Sequence, residues 1–456
     1  MLLRPITFLT LATLSLPLAA ETLKHTLANG MTVIIKEDKR APVAVSRLWY
    51  RVGSIDEQPG KTGLSHALEH MMFKGTQSVP AGEFSRRIAA LGGQDNAYTS
   101  RDSTVYVTDI AVRNLPEVLK LEADRMANLN FSDRDFANEM NVIKEERRMR
   151  SEDDPGGKLW ENLNLAAYRL PNLRAPVIGY RADLDQLTAA DLRDWYRRWY
   201  APNNATLIIV GDVNARQTLK TVEQHFGSLP KSTIGSRNQL EDSGSQAAES
   251  TSEALTAQPL FALAWQVPSL KKMDEKMPYA LDVLSDILSG DSSSRFDKNL
   301  IRGQEKALGI NVSYDLLSRE TPLLTISGLP AAGTDTRELV ALVHQEIADI
   351  AKNGVSRQEL QRIRRRSEAQ EIYARDSMTH QAALIGMLEA NGFSYRDEAE
   401  IRRRLAAVTA AEVQAAARLL QAEKQTLAIV NPRPGTPPQQ AAPATPADLN
   451  PVDATN

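Results

Sequence analysis

Met31–Asp38 (MTVIIKED) and Ala44–Gly53 (AVSRLWYRVG) are short apolar, β-branched runs, and both read as strands. Ser103–Ile110 (STVYVTDI) alternates apolar and polar positions, the period of a strand with one buried face. A helix is expected around Gly63–Lys74, and long helical stretches follow from Pro116 to Arg150. Within the latter, Phe136, Glu139, Ile143, Glu146 and Met149 stand at 3-4-3-3 spacing, one stripe of a helix. Two carboxylates in an apolar stripe are expensive to bury unless a cation or hydrogen-bond donors compensate them. A metal at that face would do so; a frayed or exposed stripe is the plainer alternative. Glu145 lies about 100° round the helix and is expected in water. Strands, then helices, then strands again predict an α+β fold with helices on a mostly antiparallel sheet.

The pattern repeats. LTAADLRDWYRRWYAPNNATLIIVGDV from Leu187 is echoed by VTAAEVQAAARLLQAEKQTLAIVNP from Val408, which pairs Thr188 with Thr409 and Thr206 with Thr426. Each reads as a Thr-capped helix followed by a β-branched strand. FSDRDFANEMNVIKEE from Phe131 is matched by VSRQELQRIRRRSEAQ from Val355. Two echoes at nearly one offset predict a duplication, with homologous domains at 21–231 and 260–432. The Ser-, Gln-, Glu- and Ala-rich segment 232–259 reads as the linker, and the Pro-rich segment 433–456 as a disordered tail.

A length of 456 residues fits two or three domains. The net charge of -3 makes no electrostatic case for nucleic acid. The absence of cysteine excludes disulfides, thiolate metal ligands and a cysteine nucleophile. At the N-terminus, Arg4 precedes an apolar run from Ile6 to about Leu18 and then Ala19-Ala20, the layout of a signal peptide over 1–20 cleaved after Ala20. The run is shorter than the roughly 20 residues that span a bilayer. The mature chain is therefore expected without a transmembrane segment, in the periplasm or secreted.

Only six histidines occur, and two of them stand four apart in GLSHALEHMMFKGT: His66 and His70, with Glu69 directly before the second. On a helix such a pair shares a face, where two imidazoles can meet one divalent cation, usually zinc. Glu69 borders that face, and a carboxylate beside a metal can take a proton from water. Seen alone, the pattern fits two surface histidines equally well. A catalytic zinc needs a third protein ligand, and the stripe offers Glu139 and Glu146.

His-x-x-Glu-His is the inverzincin order. With Gly75-Thr76 after it, the glycine pair in GGQDNAYTSRDSTVY, and a glutamate 76 residues beyond His70 at Glu146, the chain resembles the pitrilysin and insulysin peptidases. These include the mitochondrial processing peptidase, and the likeness runs from about Glu21 to Val430. The resemblance implies two α+β roll domains, each an antiparallel sheet with helices on one side, forming half of a clamshell. It implies one Zn²⁺ per chain on His66, His70 and Glu146, and a zinc-bound water activated by Glu69 as general base. Glu139 would orient a ligand from behind, and Asn96 and Ala97 would belong to an edge segment that holds a peptide as an added strand. The activity implied is endopeptidase cleavage of peptides or unfolded segments. The competing reading is a non-catalytic member acting as a structural or peptide-binding subunit, although such members normally lose the motif kept here.

In the resembling family an Arg and a Tyr seven residues apart in the second half, or in a second subunit, point at the bound peptide. Aligned on Leu308-Gly309, those positions are Gly303 and Ile310 here, while Arg302 and Tyr314 are out of register. The second half also carries Gln370 where Glu146 stands in the first. The expectation is a heterodimer with a homologous metal-free subunit that supplies the Arg and Tyr.

Overall fold

The computed structural model describes residues 22–235, 237, 240–242 and 247–434. The leader expected at 1–20, and all but the first two residues of the tail expected at 433–456, lie outside the described residues.

The apolar runs pair into two sheets. The first contains β1 (Thr22–Thr26), β2 (Thr32–Glu37), β3 (Val43–Tyr50), β4 (Gln94–Thr99), β5 (Thr104–Ala111) and β6 (Ala205–Gly211), in the order β1-β2-β6-β3-β5-β4. The second contains β7 (Ala248–Ala254), β8 (Leu260–Gln266), β9 (Ala307–Ser313), β10 (Leu323–Pro330) and β11 (Thr426–Pro432), in the order β7-β11-β8-β10-β9. Without β1, the two orders are the same permutation of five strands, so the fold repeats as the echoes predict. The echoing helices also start alike. Thr188 and Thr409 each cap a helix and accept from the N–H three residues on, and Ser132 and Ser356 do the same.

Two expectations need correction. The segment 232–259 is not linker throughout, because Ala248–Ala254 (AESTSEA) is β7, the counterpart of β2, lying parallel against β11. It has no β-branched run, and among the described residues no strand pairs with its outer edge. Its strand form comes from backbone pairing with a neighbour about 180 residues away in sequence, which local composition does not reveal. The sheets are mostly antiparallel, as expected, with one parallel pair in each among the described residues: β2 with β6 and β7 with β11.

The helices, expected on one side, cover both faces of each sheet. Alternate residues of β2 and β3 face opposite ways. Val33, Ile35, Ala44, Leu48 and Tyr50 enter the first core, while Ile34, Val45 and Trp49 point out of the other face. That outer face is covered by Met378, Ala382 and Ile385 of the helix Met378–Ala390, which belongs to the second half. The exchange is reciprocal. Leu159, Trp160, Leu163 and Ala167 of the first half's helix Pro155–Ala167 cover Leu260, Ala262, Ala264, Ala428 and Val430 of the second sheet. Each half thus closes the other's sheet.

Candidate metal centre

The His-bearing helix runs Leu64–Met71. Leu64, Ser65, Ala67, Leu68 and Met71 are buried, which turns His66 and His70 toward the opposite side. Its start is held by the buried Glu57 carboxylate, which accepts from the Gly63 and Ser65 N–H groups at 2.7 Å each. Gly63 has φ +87°, and a side chain there would meet the Ile178 carbonyl, so the entry to this helix requires glycine.

Facing it is the helix Asp133–Arg147. Glu139, Met140 and Ile143 are buried there, and Glu145 points to solvent with Arg148 as its partner, as the stripe predicts. Met149, the last member of the stripe, is 54% exposed instead. The helix widens into a π turn over Arg148–Glu152, and the extra residue per turn swings Met149 off the buried face.

The two helices bring His66, His70 and Glu146 together, with one potential donor atom from each all within 4.8 Å of one another. The Nε2 atoms of His66 and His70 lie 3.8 and 3.4 Å from Glu146 Oε2. The three side chains are only 12%, 22% and 16% exposed. His70 Nδ1 is 2.9 Å from Glu139 Oε1, and the other Glu139 oxygen pairs with Lys74. Glu139 therefore fixes the ring so that Nε2 faces Glu146. Arg150 Nη1 holds the second Glu146 oxygen at 3.0 Å.

Burial, with His70 beside it, pushes the His66 imidazole down to about 3, so it is neutral and able to donate a lone pair. Burial also opposes charge on His70, but its bonds to Glu139 and Glu146 outweigh that and raise it to about 9. Burial likewise works against the Glu146 carboxylate, yet His70, His66 and Arg150 hold it down at about 2. A cation between His70 and Glu146 would therefore compete with a proton for the His70 ring. Two imidazole nitrogens and one carboxylate oxygen, close-set and shielded, suit a divalent ion of zinc's kind and leave a fourth position free.

Glu69 sits one residue from this set and is buried. Its Oε2 accepts a short hydrogen bond from Thr99 Oγ1, at the end of β4. Burial raises the Glu69 carboxyl above its ordinary range, against the Thr99 bond and the nearby His70 charge. A carboxylate moved toward neutrality beside a metal-ligand set is able to accept and return a proton.

Asn96 and Ala97 lie on β4, which pairs with β5 on one side and forms the outer edge of its sheet. Asn96 Oδ1 accepts from the Ala97 N–H at 2.9 Å. Among the described residues no strand pairs with the outer side of β4. In the second half, Ile310 is buried in the core, Arg302 is engaged by Asp297 and the Ser292 carbonyl, and the Tyr314 hydroxyl donates to the Pro268 carbonyl. Gln370 is exposed.

Sequence reasoning missed Lys74, Thr99 and Arg150. Lys74 and Arg150 follow His70 and Glu146 by four residues, so helical spacing alone marks both as neighbours of the site. No local signal marks Thr99, which arrives through strand pairing.

Motif, donor geometry and duplicated scaffold belong together in one class of protein. The insulinase (peptidase family M16) model matches residues 32–181, and the peptidase M16 inactive-domain model matches 186–367. The chain belongs to the insulinase family of M16 peptidases. It is 30% identical to zinc protease PqqE of Helicobacter pylori over 371 residues, covering 79% of this chain and 81% of that protein. It is 27% identical to the uncharacterized zinc protease YmxG of Bacillus subtilis, covering 91% and 99% of the two chains. The crystal structure of a protease from Helicobacter pylori superposes with a TM-score of 0.85 at 25% identity, covering 91% of this chain and all of that one. The fold is accordingly the two-domain α+β arrangement of half an M16 clamshell.

Proposed function

We propose that this chain is a zinc-dependent endopeptidase acting on peptides or unfolded polypeptide segments. The observation that carries the reading is the convergence of His66, His70 and Glu146 beside a buried Glu69, next to an open strand edge. The inactive-domain match covers 186–367 and leaves all four of these residues outside it, which favours a catalytic member over a structural one. Two relatives named zinc proteases support the choice of metal.

When bound, zinc supplies a Lewis acid that polarises the peptide carbonyl and acidifies water. The chain's own residues do the rest. Glu69 accepts the proton of the attacking water and returns it to the leaving amine, with Thr99 holding one carboxylate oxygen. Glu139 and Lys74 keep His70 oriented, and Arg150 keeps Glu146 ionised. The β4 edge aligns an extended peptide through backbone hydrogen bonds and so excludes folded substrates.

The absent Arg and Tyr support a heterodimer with a homologous metal-free subunit that supplies them. The N-terminal leader pattern supports export to the periplasm, and among the described residues no helix is long and apolar enough to cross a membrane. The test measures zinc by mass spectrometry and hydrolysis of a quenched peptide library, with and without the homologous subunit. Stoichiometric zinc with no cleavage in either condition would overturn the catalytic reading.

A further inference from the structure

The β4–β5 hairpin carries the peptide edge at one end and Thr99 at the other, and its tip is residues 100–103. That tip does not hang free. Its counterpart in the second half is the β9–β10 connection, residues 314–322, and the two meet. Arg319 from the second connection places Nε 3.1 Å from Asp102 Oδ1 and Nη2 2.9 Å from Asp56 Oδ1. The Arg319 N–H also points at Asp102 Oδ2. Arg237, between the halves, pairs with Asp56 at 2.6 Å and donates to the Asp102 carbonyl at 3.0 Å. Asp56 and Asp102 thus share two guanidinium groups from beyond their own domain, and Asp56 and Arg319 side chains are only 7% and 14% exposed.

The same tip is held from its own side. The Ser54 and Ile55 N–H groups donate to the Ser100 and Arg101 carbonyls, and Arg101 donates to the Leu173 carbonyl. A side chain on Gly53 would collide with these two carbonyls, so the approach is close. One residue before the tip, Thr99 is buried and bonded to Glu69. A rigid two-stranded hairpin anchored at its tip transmits that anchoring to its last strand residue and to the register of its outer edge.

We propose that Arg319 is a positioning residue for hydrolysis: by holding Asp102 and Asp56 it fixes the hairpin so that Thr99 meets Glu69 and β4 presents its edge in one register. The proposal rests on the peptidase reading above and gives the metal-free half a task inside this chain. Among the described residues Arg319 pairs with Asp56 and Asp102 and not with the metal-donor set. Small displacements of positioned groups are costly, on the order of 100-fold for about 1 Å.

The experiment compares Arg319→Met, Arg319→Lys and Asp102→Asn with the unmodified chain, each zinc-loaded and with the homologous subunit present where activity requires it. Expected for Arg319→Met is full zinc, kcat down about 10-fold or more, and faster amide hydrogen exchange confined to residues 94–103. Arg319→Lys keeps the charge but not the planar fork, and should recover part of kcat. Thr99→Val combined with Arg319→Met should cost less than the product of the two separate losses, because both act on Glu69. If Arg319→Met fails to fold, Asp102→Asn carries the same expectation, since it keeps the shape and removes one charge. Wild-type exchange at 94–103 in a folded variant overturns the proposal, and so does faster exchange spread evenly through the first sheet. Should the unmodified zinc-loaded chain cleave nothing with or without the homologous subunit, the peptidase reading fails, while the exchange pattern still judges the anchoring by Arg319.

Discussion

Glu69, Glu139 and Glu145 are three glutamates with three different surroundings, and substitution should separate them. Glu69→Gln is expected to keep bound zinc and lose at least ~100-fold in peptide turnover, because it removes the proton acceptor without touching the donor set. Substantial activity in that variant would reassign the base. Glu139→Ala should weaken metal binding ~10-fold or more by releasing His70 and Lys74, while Glu145→Ala, bonded only to Arg148 at the surface, should leave it unchanged. Competitive chelator titration ranks the two, and the opposite ranking would contradict the geometry. His70 gives a pH prediction. Its metal-free value is raised to about 9 from an ordinary 6.5, so near neutral pH a cation must displace a proton. Metal affinity should therefore climb with pH and flatten above about 9. Calorimetry in buffers of different ionisation enthalpy should record release of about one proton per ion at pH 7.5. The same raised value means that the His70 charge contributes stability to the metal-free fold below about 6.5, and that this is lost as pH rises through about 9.

Elements were legible where their signal is local. The caps at Thr188 and Thr409, the β-branched strands β2, β3 and β6, and the face shared by Glu139 and Glu146 all follow from spacing along the chain. Helical spacing placed His66 with His70, and Glu139 with Glu146, on shared faces, and the family resemblance selected Glu146 as the third donor. Thr99 and β7 were not legible, since each acquires its role from a partner distant in sequence. The exchanged helices were hidden for a related reason. The helix Met378–Ala390 has no single apolar stripe, since Met378, Ala382 and Ile385 cover the first sheet while Leu384 and Leu388 pack into the second core, and nothing local says which sheet it will cover. The contact is nevertheless specific. A Cβ on Gly386 would overlap the buried Trp49 indole, so this helix needs glycine at its closest approach. Gly386→Ala should lower stability by about 1–3 kcal/mol, despite alanine's better helix propensity, because overpacking exceeds that gain. Chemical denaturation of the purified chain tests this, and an unchanged or raised midpoint would show that the indole can shift.

At the scale of the molecule, each half has its own core but leaves one sheet face for the other to cover. Residues 22–242 produced alone leave Ile34, Val45, Trp49 and Ile208 without cover, and should aggregate or remain partly molten. Adding residues 247–434 should restore a soluble, cooperatively melting complex, and a first half that melts cooperatively alone would argue against the exchange. The two zinc protease relatives align over both halves, and one aligns over 91% of this chain. The helix that closes the first sheet starts only at Met378, near the end of the described chain. A ribosome must therefore finish most of the polypeptide before its opening strands can be sealed. Until then Ile34, Val45 and Trp49 lack their cover, so the first half is completed only after the second has been synthesised.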